Sequence, residues 1–161
     1  MNKTKNTDTI VSSGEMREFS TGAHRDAATN KGRCDLLPLS VLAMIERNMS
    51  DESDLDLSVW DYLSDIQEAL KDKDFQGLLK GVANTLAAFA LDEDTDIYTL
   101  YLNVSYHYKA GAEKYGANNW QKGMPTNVYF DSAIRHYLKF LRSDEDECHD
   151  RAFVWNLLGL V

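Results

Sequence analysis

The sequence predicts an all-α bundle of about six helices, on three observations. From Pro38 onward apolar residues recur at helical spacing, each stripe covering one side of its segment. Caps, glycines and acidic breaks separate the stripes. No segment alternates apolar and polar residues with the β-branched enrichment of a strand, and no repeat of fixed period is visible.

The elements follow in chain order. Residues 1 to about 20 are rich in Thr, Ser, Asn and Lys without periodicity and read as a flexible lead to a single domain at 21–161. Ser20 to Leu37 is glycine-punctuated and densely charged, a loop composition. A first helix starts at Pro38, which suits a first turn, and carries Leu42, Ile45 and Met49. Ser58 precedes the stripe Val59, Leu63, Ile66 and Leu70, with Asp61 placed to complete a capping box. Phe75, Leu79, Val82, Leu86 and Phe89 continue the rhythm, and the acidic break Asp92 to Asp96 caps the next segment. Together 50–96 reads as an acidic helical insertion. Ile97, Leu100, Val104 and Tyr108 mark a fourth helix that ends at Gly116 in a left-handed cap. Asn118 to Thr126 is a loop; Phe130, Ile134, Tyr137 and Leu141 define a fifth helix. After the acidic break Asp144 to Glu147, Val154, Leu157, Leu158 and Val161 give a last one.

Bulk properties narrow the function. The 161 residues suit one domain, and 43% hydrophobic with 27% charged residues is the balance of a soluble globular protein. No apolar run reaches the roughly 20 residues that cross a bilayer, and the polar N-terminus lacks a signal-peptide core, so a cytoplasmic protein is expected. Two cysteines, Cys34 and Cys148, supply neither a disulfide framework nor a CxxC metal pair. A net charge of −9 argues against wrapping duplex nucleic acid, which needs lysines and arginines on phosphates. It does not exclude a small anionic substrate, because a divalent metal bridges carboxylates to phosphates.

Polar and aromatic residues crowd three islands: Arg25 to Asp35, His107 to Lys122 and Asp131 to Asn156. Hydrolysis at an α-phosphate needs a metal, an activated water and cations around the leaving pyrophosphate. Mg²⁺ takes hard oxygen ligands, and the acids near these islands are Glu113, Asp131, Asp144, Glu145 and Asp146. An antiparallel helix pair joined by 118–126 would bring Glu113 towards Asp131, making these two the candidate catalytic pair; the plain alternative is that Asp131 favours a helix start and 144–147 is a solvated cap. Lys31, Arg33, Lys114, Lys122 and Arg135 are candidate phosphate partners. Trp120, Tyr115, Asn118 and Asn119 suit stacking on a purine and reading its edge, although Tyr115 and Trp120 equally suit pinning the loop to the bundle. His136 and His149 suit a hydrogen bond to carboxylate or phosphate, or a structural cap. Asn156, in an apolar helix, needs a partner, for which another island is a candidate.

The run Gly111-Ala112-Glu113-Lys114-Tyr115-Gly116-Ala117-Asn118-Asn119-Trp120-Gln121-Lys122-Gly123 resembles the GAxKYGxxNWxKG signature of the phage dATP/dGTP diphosphohydrolase family, related to the MazG-like pyrophosphatases. Lys31 to Pro38, Asp131 to His136 and His149 to Asn156 resemble its other marks, so the resemblance covers about 20–49 and 106–161. It implies a MazG-like all-α fold, Mg²⁺ or in its place Mn²⁺ held by carboxylates on adjacent helices, and release of pyrophosphate from a purine deoxynucleoside triphosphate. It also implies a homo-oligomer and, for a phage-encoded chain, the host cytoplasm. The chain departs from the pattern at Lys109, where the family usually has an acid: either Glu113, one turn on, takes over the ligand role, or the chain lacks that catalytic ligand. Two other readings compete. One is an acidic phage protein that binds a partner or nucleotide without hydrolysis, through the acidic Asp51 to Asp96 region. The other is an HD-type phosphohydrolase built on His149-Asp150, disfavoured because no aspartate follows Asp150.

Overall fold

A computed structural model describes residues 15–27, 31–51 and 54–161, in two compact units, Met1–Lys31 and Gly32–Val161. In the first, β1 (Met16–Glu18) and β2 (His24–Asp26) form an antiparallel hairpin in which Arg17 faces Arg25. Its turn closes with Phe19 N–H donating to the Ala23 carbonyl at 2.9 Å, and Gly22 takes φ +78°, which glycine adopts without a Cβ clash. A hairpin replaces the loop expected here: its strands are only three residues long and β1 is exposed throughout, so they carry no alternation to detect. Most of the expected flexible lead lies outside the described residues.

The second unit holds the helices: α1 (Leu39–Asn48), α2 (Val59–Asp72), α3 (Phe75–Asp92), α4 (Ile97–Tyr115), α5 (Thr126–Leu141) and α6 (His149–Leu158). Six helices and no further strand among the described residues make the expected all-α bundle. None is long and apolar enough to cross a membrane.

α2, α3 and α4 each start where a side chain satisfies an open N–H group. The Ser58 capping box is complete: the Asp61 N–H donates to Ser58 Oγ and the Ser58 N–H to Asp61 Oδ2 at 3.0 Å. Asp74 and Asp96 accept from the N–H groups of Gly77 and Thr99, at 3.0 and 2.8 Å. Pro38 precedes α1 as expected. Gly116 ends α4 at φ +90° and ψ 151°, a positive-φ glycine conformation that is extended in ψ, not the left-handed helical cap expected.

α2 and α3 form one antiparallel pair, in which Val59, Leu63 and Ile66 meet Leu79, Val82 and Leu86, all 3% exposed or less. The described acids of the 50–96 stretch face outward while its apolar stripes build this half of the core. Gly81 permits the approach, because a Cβ there would sit 2.8 Å from Ile66 Cγ1. Phe75, predicted to begin the stripe, is half exposed, and the buried stripe begins after it.

α6 packs on α5 and, by its other side, on α4, whereas α4 and α5 make little direct contact. This corrects the expected α4–α5 pair: the link 116–125 is long enough for α6 to enter between them. Phe89 of α3 ties the halves together, edge-on to Phe140 and Phe153 at 5.3 and 5.1 Å between centroids. The buried face of α5 is Tyr129, Ala133 and Tyr137, of which Tyr137 is on the predicted line; Phe130 and Ile134 flank it, and Leu141 is exposed. α6 begins five residues before Val154, at His149.

Candidate functional site

A cavity of about 400 Å³ opens where α4, α5 and α6 meet the 116–124 link. α4 contributes His107, Tyr108, Gly111, Ala112 and Tyr115; the link Asn118, Asn119, Trp120 and Met124; α5 Val128, Ser132 and His136; α6 Trp155 and Asn156. Leu36, at the end of a 3-10 turn (Cys34–Leu36), completes the wall. The signature stretch and the last helix are thus brought to one concave surface.

The link is held in shape by positive φ at Gly116 (+90°), Asn118 (+60°) and Gly123 (+76°). Glycine and asparagine are the residues that tolerate this backbone. Between them a 3-10 turn, Asn119–Lys122, places Trp120 against the bundle. Trp120 meets Tyr108 edge-on at 5.9 Å, and Trp155 sits among His107, Tyr108 and Tyr129 at 5.7, 6.2 and 5.6 Å. The Trp120 Nε1–H is buried with no hydrogen-bond partner among the described residues. A buried indole donor left unpaired is costly, and an acceptor on a bound molecule would relieve it.

Tyr115 is 60% exposed at the cavity edge with Lys114 Nζ 4.9 Å from its ring centroid, so it does not pin the link to the bundle. The Asn156 amide donates to the Ala152 carbonyl at 2.7 Å, so its partner lies on its own helix, not in another island.

The candidate phosphate partners are dispersed. Arg33 makes two bonds to Asp35, at 2.7 and 2.6 Å, and Arg135 pairs with Asp131 one turn earlier. Lys114 and Lys122 are exposed near the cavity edge, on the last turn of α4 and at the end of the 3-10 turn. Lys31 is exposed at the end of the first unit.

The expected acids fall into two sets. Glu113 and Asp131 are exposed and directly follow or precede the cavity-lining residues Ala112 and Ser132. Asp131 lies in the second turn of α5, since that helix starts at Thr126. Asp144 and Asp146 come together with His149, their ligand atoms lying within 4.8 Å of one another, and Glu145 lies exposed beside them. The structure brings neither Glu113 nor Asp131 into that group.

His149 is 2% exposed on the first turn of α6. Its Nε2 lies 2.8 Å from Asp146 Oδ1 and its Nδ1 3.0 Å from His136 Nδ1. Lys139 Nζ also donates to Asp146, at 2.8 Å. These two bonds, Lys139 first, hold the Asp146 carboxyl down to about 2. Arg142 binds Asp144 and lowers its carboxyl likewise. Burial lowers His107 and His136 below the ordinary imidazole value, with nearby Glu147 partly opposing it.

Glu147 joins His136 and His149 in a second convergent group that the candidate list lacked. The detectable signal was local: Asp146 and His149 stand three apart at a helix start, a spacing that places one beneath the other.

These donors bear on the implied Mg²⁺. Asp144 and Asp146 are already engaged by Arg142, Lys139 and His149, so no open all-oxygen cage exists among the described residues. Glu113 and Asp131 enter no convergent donor group and Asp131 is paired with Arg135, so an ion there would rest on one or two exposed carboxylates, with substrate oxygens and water completing its shell.

Residues 97–161 match the family model described as dATP/dGTP diphosphohydrolase, N-terminal. The matched stretch runs from the start of α4 through the signature to the last residue, so it contains every cavity-lining residue except Leu36. Lys31 to Pro38 lie outside it. Neither a search of curated proteins nor one of solved structures returns a match.

Proposed function

Because α4 to α6 carry the dATP/dGTP diphosphohydrolase family match, we propose that this chain hydrolyses a purine deoxynucleoside triphosphate to the monophosphate and pyrophosphate. The observation that carries the proposal is the coincidence of the family-matching segment with the aromatic-walled cavity.

In this reading the base enters the cavity, where Trp120, Tyr108 and Trp155 supply apolar surface. Asn118 and Asn119 offer amide donors and acceptors to its edge, and the unpaired Trp120 Nε1–H donates to an acceptor on it. The triphosphate then points to the rim, where Lys114, Lys122 and Arg135 offset its charge in a chain of net −9. Glu113 and Asp131 orient the attacking water and hold the ion there. When bound, Mg²⁺ or Mn²⁺ supplies charge neutralisation at the phosphates. Arg135 must exchange its Asp131 partner for a phosphate oxygen on binding, which releases the Asp131 carboxylate for that role. The reaction suits control of nucleotide pools during phage growth.

The test is to incubate the purified chain with each deoxynucleoside triphosphate and Mg²⁺ or Mn²⁺ and resolve the products by anion exchange. Monophosphate and pyrophosphate in equal amounts are expected from dATP or dGTP. Orthophosphate or tripolyphosphate as the first product, or no turnover of any purine triphosphate, would overturn the proposal.

A further inference from the structure

We propose that His136, His149 and Glu147 bind a divalent first-row transition ion at the wall of the cavity, with Asp146 as the carboxylate that orients His149. This ion is distinct from the one that accompanies the nucleotide, and the inference does not depend on the substrate.

The argument starts from the proton positions. Asp146 accepts from Lys139 Nζ and lies 2.8 Å from His149 Nε2, and a carboxylate only accepts, which puts a proton on His149 Nε2. In a neutral ring the lone pair is then on Nδ1, the atom facing His136 Nδ1 at 3.0 Å. His149 is 2% exposed, so its tautomer is fixed by buried geometry and not by solvent. A histidine that donates one nitrogen to a carboxylate and presents the other is the arrangement that orients imidazoles on metal ions.

The spacing agrees. Two imidazole nitrogens on a tetrahedral ion, each bonded at about 2.0–2.1 Å, stand about 3.3 Å apart. The observed 3.0 Å separation needs to open by only a few tenths of an ångström. A Glu147 carboxylate oxygen lies within 4.8 Å of both histidine donors, giving a third ligand. On binding, the proton on His136 Nδ1 moves to its Nε2, which leaves both Nδ1 atoms to face the ion. The opposite side of His149 is unsuitable, because Asp144 and Asp146 are occupied by Arg142 and Lys139. Two nitrogens and one carboxylate favour Zn²⁺, Co²⁺ or Mn²⁺ over Mg²⁺, which demands hard oxygen ligands. His136 also lines the cavity, so the ion stands where it can polarise a bound ligand or fix α5 against α6.

The test is titration of the full chain with Co²⁺ in excess Mg²⁺, followed by visible d–d absorption and by calorimetry with Zn²⁺. Saturable binding of one ion per chain is expected, with nitrogen-ligated d–d bands. His136→Ala and Glu147→Gln should each weaken it at least about tenfold, and Asp146→Asn by about 10–100-fold, as for loss of an outer-sphere partner. Asp131→Asn should leave it unchanged. His136 is only partly buried, so its variant tests the site without emptying the core; helical circular dichroism confirms the fold. Co²⁺ bound by folded His136→Ala with unaltered affinity and spectrum would overturn the proposal. So would the absence of saturable binding, or displacement of Co²⁺ by equimolar Mg²⁺.

Discussion

His107 and Trp155 face each other across the α4–α6 contact, their ring centroids 5.7 Å apart and their planes at 47°. Burial there lowers the His107 imidazole below its ordinary 6.5, so the folded chain favours the neutral ring. The unfolded chain therefore binds a proton that the folded chain resists. The stability this withholds is fully present above about pH 6.5 and is lost as pH falls towards the depressed folded value. Melting at about pH 5.5 is expected to lie below that at about pH 7.5, and His107→Gln should flatten that slope. An equal slope in the variant would remove His107 from the effect.

Trp120→Ala removes an aromatic wall and the unpaired indole donor together. Stacking of a base on an aromatic ring is worth about 1–3 kcal/mol, so KM should rise roughly ten- to hundredfold. Trp120→Phe keeps the ring and loses the donor, and should fall between wild type and Trp120→Ala. Steady-state kinetics on dATP and dGTP read both; an unchanged KM in Trp120→Ala would place the base elsewhere.

Glu113→Gln and Asp131→Asn are expected to abolish turnover without unfolding the chain. Asp131 is exposed and its pair with Arg135 is worth at most about 1 kcal/mol, so thermal melting should hardly move. Near-normal turnover in both variants would take these acids out of the reaction.

Gly32 lies against Ser105 of α4: a Cβ there would meet the Ser105 side chain and stand 2.9 Å from its carbonyl carbon. The Arg33 N–H donates to the Ser105 carbonyl at 3.1 Å, fixing the turn that carries Leu36 into the cavity wall. Gly32→Ala should cost about 1–3 kcal/mol by overpacking and also weaken nucleotide binding. Chemical denaturation and calorimetry measure the two losses.

Ser58→Ala provides the contrast. It removes the capping box of α2, remote from the cavity lining, and should cost about 1 kcal/mol with turnover unchanged.

How far these features were legible in the sequence depended on whether their causes were local. α2 was readable because Ser58, Asp61 and the Val59–Leu63–Ile66 stripe all act within the helix. On α5 the sequence pointed correctly to Tyr137, but the strongest hydrophobes, Phe130, Ile134 and Leu141, misled: tertiary contact buries Tyr129 and Ala133 beside it, whose apolar signal is weaker. The signature residues Asn118, Asn119 and Trp120 do line one cavity, because the link that carries them is locally determined by Gly116 and Gly123. The positions of Glu113 and Asp131 relative to the other acids depended on which helix lies beside α4, a long-range choice no spacing encodes. The His136–His149 contact spans thirteen residues and required the turn between α5 and α6, so only its Asp146–His149 half was within reach.

The insertion of α6 between α4 and α5 has a mechanical corollary. The two flanking walls of the pocket are coupled through a common neighbour, so a shift of that neighbour displaces both at once. Phe153 and Leu157 sit on its hidden side, wholly enclosed, with Phe153 stacked against Tyr137. Affinity for the occupant is therefore set partly from behind, by side chains that never meet it, and a cavity carved there would loosen the grip of residues that do.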